Sequence, residues 1–343
     1  MKWHCQKRNC IIVVCMLAVL LLEGCGPLKK QEQVSQTYVA MGTVVGVNLY
    51  AEDEQQGAEV QTLIAERLKE LENQYLSYRV EESEIWKLNH SGGECVQISD
   101  FLYEYLEKVW EISEKSDGAL DVTVGEVTRL WNIDTYAEAP EGFEIPQEEA
   151  LAAALNNVGY EKIVMEQSLT MPSGMTIDLG AVGKGIACDV IKEILQEKGI
   201  PAAVISVGGS NLIWGEKDNG QGWLIGVAHP REEMAYLGYL RVDGGQFVAT
   251  SGDYERFVLV GDERYHHIMD PDTGYPARSG LCSVTIVSNS GLLSDALSTA
   301  CFVLGNEKGM ELAEQYGAEA LFVGEDGSIT MTEGMKSLWM KEK

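Results

Sequence analysis

Hydrophobic positions along this chain recur at two spacings, and each spacing predicts a kind of element. Between residues 55 and 76, Val60, Ile64, Leu68, Leu71 and Tyr75 return every three or four positions, the repeat of an amphipathic helix. A second helix is predicted from a cap at Ser99 or Asp100, with Leu102, Leu106, Val109 and Ile112 on one stripe and a stop at Asp117-Gly118. A third spans about 181–198, with Ile186, Val190 and Ile194 inward and Gly199 just past its end. Two more cover about 291–304 and 307–316.

The remaining apolar runs are short and rich in β-branched residues. Residues 37–50 (TYVAMGTVVGVNLY) predict a strand distorted at Gly42. From 200 to 288, the runs AAVISV, GWLIGV, LGYLRV, QFVATS, RFVLV, YHHIM and LCSVTIV alternate with Gly, Asp and Asn turns, which suggests an antiparallel meander. EALFVG and SITMTE close the chain around an Asp326-Gly327 hairpin turn. No repeat of 20–50 residues is visible, and no Pro/Ser-rich linker follows residue 36. The predicted fold class is α+β, a single domain over 37–340 with a mostly antiparallel mixed sheet flanked by helices.

The first 24 residues read as a signal. Lys2, Lys7 and Arg8 precede an apolar run of 12 residues, Ile11 to Leu22, too short for the roughly 20 a membrane span needs. Leu22-Glu23-Gly24-Cys25 resembles a bacterial lipobox, in which the Cys becomes the lipidated first residue; Glu23 departs from the usual small residue. A plain secretory signal with an incidental Cys is the alternative. The lipobox reading expects residues 25–36 as a polar tether and the protein on the extracytoplasmic face of a bacterial membrane, anchored through Cys25.

Composition narrows the classes. The 343 residues carry 53 acidic and 26 basic side chains, a formal charge of −27 that repels phosphate backbones and argues against nucleic acid as a partner. Four of the eight Cys lie at or before Cys25. Cys95, Cys188, Cys282 and Cys301 lack zinc-ligand spacing; Cys188 and Cys301 sit in apolar helical runs as buried thiols, and a bridge among the four is left open.

Three polar constellations stand out. Asp178-Leu-Gly-Ala-Val-Gly-Lys-Gly185 places a glycine-rich turn and Lys184 at a helix start, where free N–H groups and the helix dipole suit a phosphate; a tight turn with a solvent lysine is equally open. It is not a P-loop, since Gly185 stands where Ser or Thr is needed. In Ser294-Asp-Ala-Leu-Ser-Thr-Ala300, Asp295 and Thr299 share a helix face about 6 Å apart. Their oxygens suit Mg²⁺, or equally a dipole-stabilised Asp with a back-bonded Thr. In Tyr265-His-His-Ile-Met-Asp-Pro-Asp-Thr-Gly274, adjacent strand residues face opposite ways, so one His can serve a pocket and His266 is expected at the surface. The turns Thr250–Tyr254 and Val207–Asn211 are Gly-hinged and polar but lack the G-x-S-x-G spacing of a nucleophile.

Taken in order, Met41-Gly42-Thr43, Leu76-Ser-Tyr-Arg79, Glu82-Ser83-Glu84, Leu88-Asn89, Gly118-Ala-Leu-Asp-Val-Thr123, DLGAVGKG, ATSGDYER, HHIMDPDTG and SDALSTA resemble the ApbE family of FAD:protein FMN transferases, over about residues 37–340. The resemblance implies a Mg²⁺-dependent enzyme that moves the FMN half of FAD onto a Thr or Ser hydroxyl of an acceptor protein and releases AMP. It places Met41, Tyr78, Ala119, Leu120, Asp121, Lys184 and Ile268 at FAD contacts, although Lys184 falls where some members have Glu. It places the Ala181 carbonyl, Asp295 and Thr299 at the metal, and His267 at the base position. The acceptor it implies is a membrane redox-complex subunit, and no stretch here resembles the acceptor's own Thr motif, so self-flavinylation is not expected. Two rivals share these residues: a Mg²⁺-dependent FAD pyrophosphatase and a non-enzymatic FAD-binding lipoprotein.

Overall fold

The computed structural model describes residues 31–166, 168–216 and 222–341. The lipobox Cys25 and the signal lie outside the described residues, and among those described no helix is long and apolar enough to cross a membrane.

The predicted first strand is a hairpin. β1 (Glu32–Ala40) pairs antiparallel with β2 (Thr43–Ala51), joined by Met41 at φ 53° and Gly42 at φ 67°. Two consecutive left-handed residues give a turn whose twist matches that of the flanking strands, so Gly42 ends a strand rather than distorting one. Glu32–Gln36 are laddered to Val47–Ala51, so the second half of the expected tether belongs to the sheet instead.

Around this hairpin grows an eight-stranded sheet in the order β1-β2-β5-β6-β9-β12-β13-β14. Its other strands are β5 (Ala202–Val207), β6 (Ser210–Gly215), β9 (Phe247–Gly252), β12 (Leu281–Ser288), β13 (Glu319–Gly324) and β14 (Ile329–Met331). Every pairing in it is antiparallel. β7 (Trp223–Ala228) and β8 (Tyr236–Val242) leave this sheet to pair with the C-terminal β15 (Trp339–Lys341). β10 (Phe257–Val260) and β11 (Glu263–His266) form a separate hairpin, as do the two-residue β3 (Val164–Met165) and β4 (Leu169–Thr170). The predicted meander is therefore divided among three sheets, and β6 joins it without having been expected.

Side-chain alternation along the large sheet sorts two cores. Val45, Val47, Leu49, Ala203, Ile205, Leu212, Phe247, Ala320 and Phe322 face a helical layer. Ala202, Ile213, Val248, Leu321 and Val323 face the small β7-β8-β15 sheet together with Trp223, Leu240 and Val242. The helical layer contains α1 (Glu54–Glu70), continued by a wider π-type turn over Leu71–Leu76, then α2 (Glu84–Asn89) and α3 (Asp100–Lys115). α4 (Gly125–Trp131), α5 (Ile133–Glu138) and α6 (Glu148–Leu155) build a third apolar cluster with the β10-β11 hairpin. α7 (Gly183–Glu197), α8 (Gly291–Leu304) and α9 (Asn306–Gln315) complete the layer, and α10 (Glu333–Leu338) precedes β15. Side-chain oxygens of Asp53, Ser83, Ser99 and Ser290 cap α1, α2, α3 and α8.

Candidate active site

The site begins where α7 crosses α8. A Cβ at Gly185 would lie 2.2 Å from the Gly291 carbonyl oxygen, so only the glycine lets the two helices meet this closely. Just beyond the crossing, the Gly185 N–H donates to Asp295 Oδ2 at 2.9 Å. Gly185 is the third residue of α7, so its N–H has no carbonyl within the helix to bond, and Asp295 satisfies it. Asp295 Oδ1 accepts Ser210 Oγ at 2.8 Å, and the Lys184 ammonium sits 3.4 Å from the same oxygen. Lys184 Nζ also donates to the Gly180 carbonyl at 3.2 Å. A cation thus already bridges the glycine-rich turn and the buried carboxylate, which brings Lys184 and Asp295 together, with Ala181 next in sequence to Gly180. Thr299, one turn along α8, pairs its hydroxyl with Ser251 Oγ at 3.2 Å, which also meets Ser298 Oγ at 2.8 Å.

A cavity of about 950 Å³ opens nearby; Ala181, Lys184, Asp295 and Thr299 are not part of its wall, although the Lys184 charge acts on Asp178, Glu255 and His267, which are. Tyr78, Asp178, Glu255, Arg256 and His267 line it, with Gly42 of the first hairpin turn. Arg256 is fixed by Asp134 (2.8 Å), whose other oxygen lies 3.6 Å from Arg79. Arg79 in turn donates to the Tyr78 hydroxyl at 2.6 Å and lies over its ring. Asn89 makes two hydrogen bonds to the backbone of Ile177 (2.7 and 2.9 Å), which sets the approach of Asp178; the Asp178 carboxylate accepts the Gly180 N–H at 2.9 Å.

His267 reaches the cavity from the residue after β11. Its Nδ1 lies 3.3 Å from the Arg256 carbonyl oxygen, which can only accept, so Nδ1 carries the proton and Nε2 keeps its lone pair. Burial and the nearby Arg256 and Lys184 charges lower its pKa to about 4, so the ring is a neutral base across the physiological range. The carboxyls of Asp178 and Glu255 are pushed the other way by burial, with Asp134 adding to the effect at Asp178 and Asp295 at Glu255.

His266 departs from its expected surface position. It is 4% exposed, its Nε2 meets the Ala277 carbonyl at 3.0 Å, and its ring packs edge-on to Phe302. The alternation argument separated the two histidines correctly, but the second face is interior because the segment after the Asp-Pro-Asp-Thr-Gly turn folds back over it.

The predicted flavin contacts divide. Tyr78 lines the cavity; Met41 precedes the lining residue Gly42, with its N–H on Glu72 and its Cε 3.9 Å from where a Gly183 Cβ would be. Ala119, Leu120, Asp121 and Ile268 are buried and not part of the described cavity wall. Asp121 braces its own loop, accepting the Thr123 N–H and hydroxyl at 2.8 and 2.7 Å and the Tyr160 N–H at 2.9 Å. Ile268 packs in the main core. Ser210, Glu255, Arg256 and Asp134 were given no role from the sequence; Ser210 lies in the Val207–Asn211 turn, and Glu255 and Arg256 close the ATSGDYER motif, which was the available signal. The thiols of Cys95, Cys188, Cys282 and Cys301 are all free, which closes the disulfide alternative.

These features define an α+β protein with a histidine-lined cavity near a glycine-rich helix start and a buried carboxylate. The ApbE family model matches residues 41–322, and the chain belongs to the ApbE family. Its relatives include a protein of Treponema pallidum named FAD:protein FMN transferase, 30% identical over 98% of this chain and 96% of the relative. Another of the same name, from Vibrio cholerae, is 31% identical over 88% of this chain and 90% of its own. The fold matches the crystal structure of the ApbE protein of Thermotoga maritima with a TM-score of 0.82 at 32% identity, covering 90% of this chain and all of that one. It also matches the apo flavinyl transferase ApbE of Pseudomonas stutzeri, with a TM-score of 0.79 at 28% identity over 93% of this chain and all of that one. The chain is accordingly a transferase.

Proposed function

We propose that this protein is an FAD:protein FMN transferase that attaches the FMN half of FAD through a phosphoester bond to a Thr or Ser hydroxyl of an acceptor protein, with AMP leaving. The observation that carries the reading is a neutral His267, with Nε2 unprotonated, on a cavity that lies near the Lys184–Asp295 pair, whose lysine charge acts on the cavity residues His267, Asp178 and Glu255. The cavity's volume is in the range that encloses a cofactor-sized molecule.

Mg²⁺ fits the residues present. The Ala181 carbonyl, the Asp295 carboxylate and the Thr299 hydroxyl are hard oxygen donors, and a lysine ammonium already lies beside Asp295. When bound there, Mg²⁺ supplies charge neutralisation at the diphosphate. The chain's own residues do the rest. The glycine-rich turn and Lys184 favour the phosphoryl oxygens, the Tyr78 ring offers a face for a planar flavin, and His267 Nε2 accepts the proton of the attacking hydroxyl. Asp134 holds Arg256, whose carbonyl fixes the histidine tautomer.

The proposal extends to place and partner. The lipobox-like Leu22–Cys25 supports a lipid anchor on the extracytoplasmic face, and an acceptor tethered to the same membrane face, such as a redox-complex subunit, fits that location. The test is incubation of the protein with FAD, Mg²⁺ and a candidate acceptor, followed by mass spectrometry of the acceptor. A mass increase of one FMN with AMP in solution supports the reading. Free FMN and AMP with an unmodified acceptor would make the protein a pyrophosphatase, and no AMP at all would leave a flavin carrier.

A further inference from the structure

Three charged side chains meet on one short turn. Gly208, at φ 56°, and Gly209 link β5 to Ser210 at the start of β6. A Cβ at Gly208 would lie 3.3 Å from Lys184 Cδ, and one at Gly209 would lie 3.1 Å from Glu255 Oε1. Ser210 itself bonds Asp295. Successive residues of the turn therefore carry Lys184, Glu255 and Asp295, and the two missing side chains leave the space in which the lysine and the glutamate lie.

The three charges are unequally paired. Lys184 Nζ rests 3.4 Å from Asp295 Oδ1. The Glu255 carboxylate lines the cavity, open to solvent, and makes no hydrogen bond or ion pair through its oxygens among the described residues, although the Lys184 and Arg256 charges act on it. A divalent cation on Asp295 and an ammonium 3.4 Å from the same oxygen repel each other strongly in so dry a place. The lysine must leave for the cation to bind, and the chain has a free carboxylate one residue along the turn.

We propose that Lys184 is a built-in competitor of the divalent cation for Asp295, and that Glu255 is the acceptor that takes the ammonium when the cation binds. Gly185 and Ser210 satisfy the buried carboxylate's hydrogen bonds, and Lys184 supplies the opposite charge they lack in the empty enzyme. On exchange, the ammonium swings over Gly208 toward Glu255, and both carboxylates stay neutralised. Glu255 is thus a positioning residue that acts through Lys184. This rests on the metal reading given above, and it adds to that reading an intrinsic cation occupying the site beforehand.

The test uses Mn²⁺ as a paramagnetic probe, titrated into the whole protein without FAD or acceptor and followed by electron paramagnetic resonance. Lys184→Gln is expected to bind Mn²⁺ about five- to tenfold more tightly than the wild type, since the competitor is gone. Glu255→Gln, nearly isosteric, is expected to bind it several-fold more weakly, and Glu255→Asp to restore part of the affinity. In the double variant the Glu255→Gln penalty should vanish. Unchanged or weaker binding by Lys184→Gln would overturn the proposal, as would a Glu255→Gln penalty that persists without the lysine. Circular dichroism of each variant separates these results from misfolding. Asp295→Ala binding Mn²⁺ like the wild type would instead remove the metal reading itself, so the two failures are distinguishable.

Discussion

The Gly185 N–H and the Asp295 carboxylate are joined by a 2.9 Å hydrogen bond across 110 residues of chain. That single contact locks the first turn of α7 to the first half of α8 and holds the carboxylate where Ser210 and Lys184 also reach it. It requires the absence of a side chain at 185, because a Cβ there would also fall 2.8 Å from Asp295 Cβ. Gly185→Ala is therefore expected to force the helices apart and destabilise the protein by about 1–3 kcal/mol. Urea unfolding measures the loss. A variant as stable as the parent would mean that the crossing yields freely and the carboxylate is held elsewhere.

Asp189, one turn further along α7, caps the neighbouring helix. Its carboxylate accepts the N–H groups of Gly291 and Leu292 at 2.7 and 2.9 Å and the Ser290 hydroxyl at 3.2 Å. A carboxylate at a helix N-terminus satisfies donors that have no partner in the helix and matches its dipole. Removing it leaves those donors partly buried. Asp189→Ala is expected to lower stability by about 2 kcal/mol, and to weaken cation affinity through Asp295 on the same helix. Equal midpoints in thermal and urea unfolding would refute the capping role.

How far these relationships were legible depends on their range along the chain. Elements specified by local periodicity are where the sequence placed them: α8 over Gly291–Leu304, α3 behind its Ser99 cap and β13 from EALFVG. Partnerships between distant segments were not. Nothing local tells β7 and β8 to wait for β15 at the C-terminus, because any alternating strand offers the same ladder of donors and acceptors. The Met41-Gly42 turn was read as a flaw in one strand because its first left-handed residue is not glycine, the residue that normally marks such a turn. At the site, Asp295, Lys184 and His267 were found because their chemistry is explicit in short motifs. Ser210 and Glu255 were quoted only within their motifs, because the contacts that give each a role, Ser210 to Asp295 and Glu255 beside Gly209, exist only once the fold stacks them.

The buried His266 makes the fold acid-sensitive. Burial lowers its pKa from the ordinary 6.5 to about 4. Folding therefore favours the neutral ring, and the stability this contributes is complete above pH 6.5 and declines as the pH falls toward 4. His266→Gln keeps an N–H donor for the Ala277 carbonyl and cannot titrate. Between pH 6.5 and 4, its unfolding free energy should fall less steeply than that of the wild type. Parallel curves from urea titrations at each pH would show that His266 does not contribute to acid unfolding.

For His267 the same direction of shift governs chemistry. With Nδ1 donating to the Arg256 carbonyl and a pKa near 4, Nε2 is available as a base at every pH above that value. The rate of FMN transfer should therefore be flat in this ring's titration through neutral pH and fall only as the pH approaches 4. His267→Ala should lower the transfer rate by about 10²–10⁴-fold, the usual worth of a general base, while FAD affinity stays close to that of the wild type. Single-turnover labelling of the acceptor beside flavin-fluorescence titration separates the two quantities. Undiminished labelling by the variant would remove the base from His267. A wild-type rate that drops at the ordinary histidine value of 6.5 would mean that the ring reaches solvent and that burial beside Arg256 and Lys184 does not set its proton affinity.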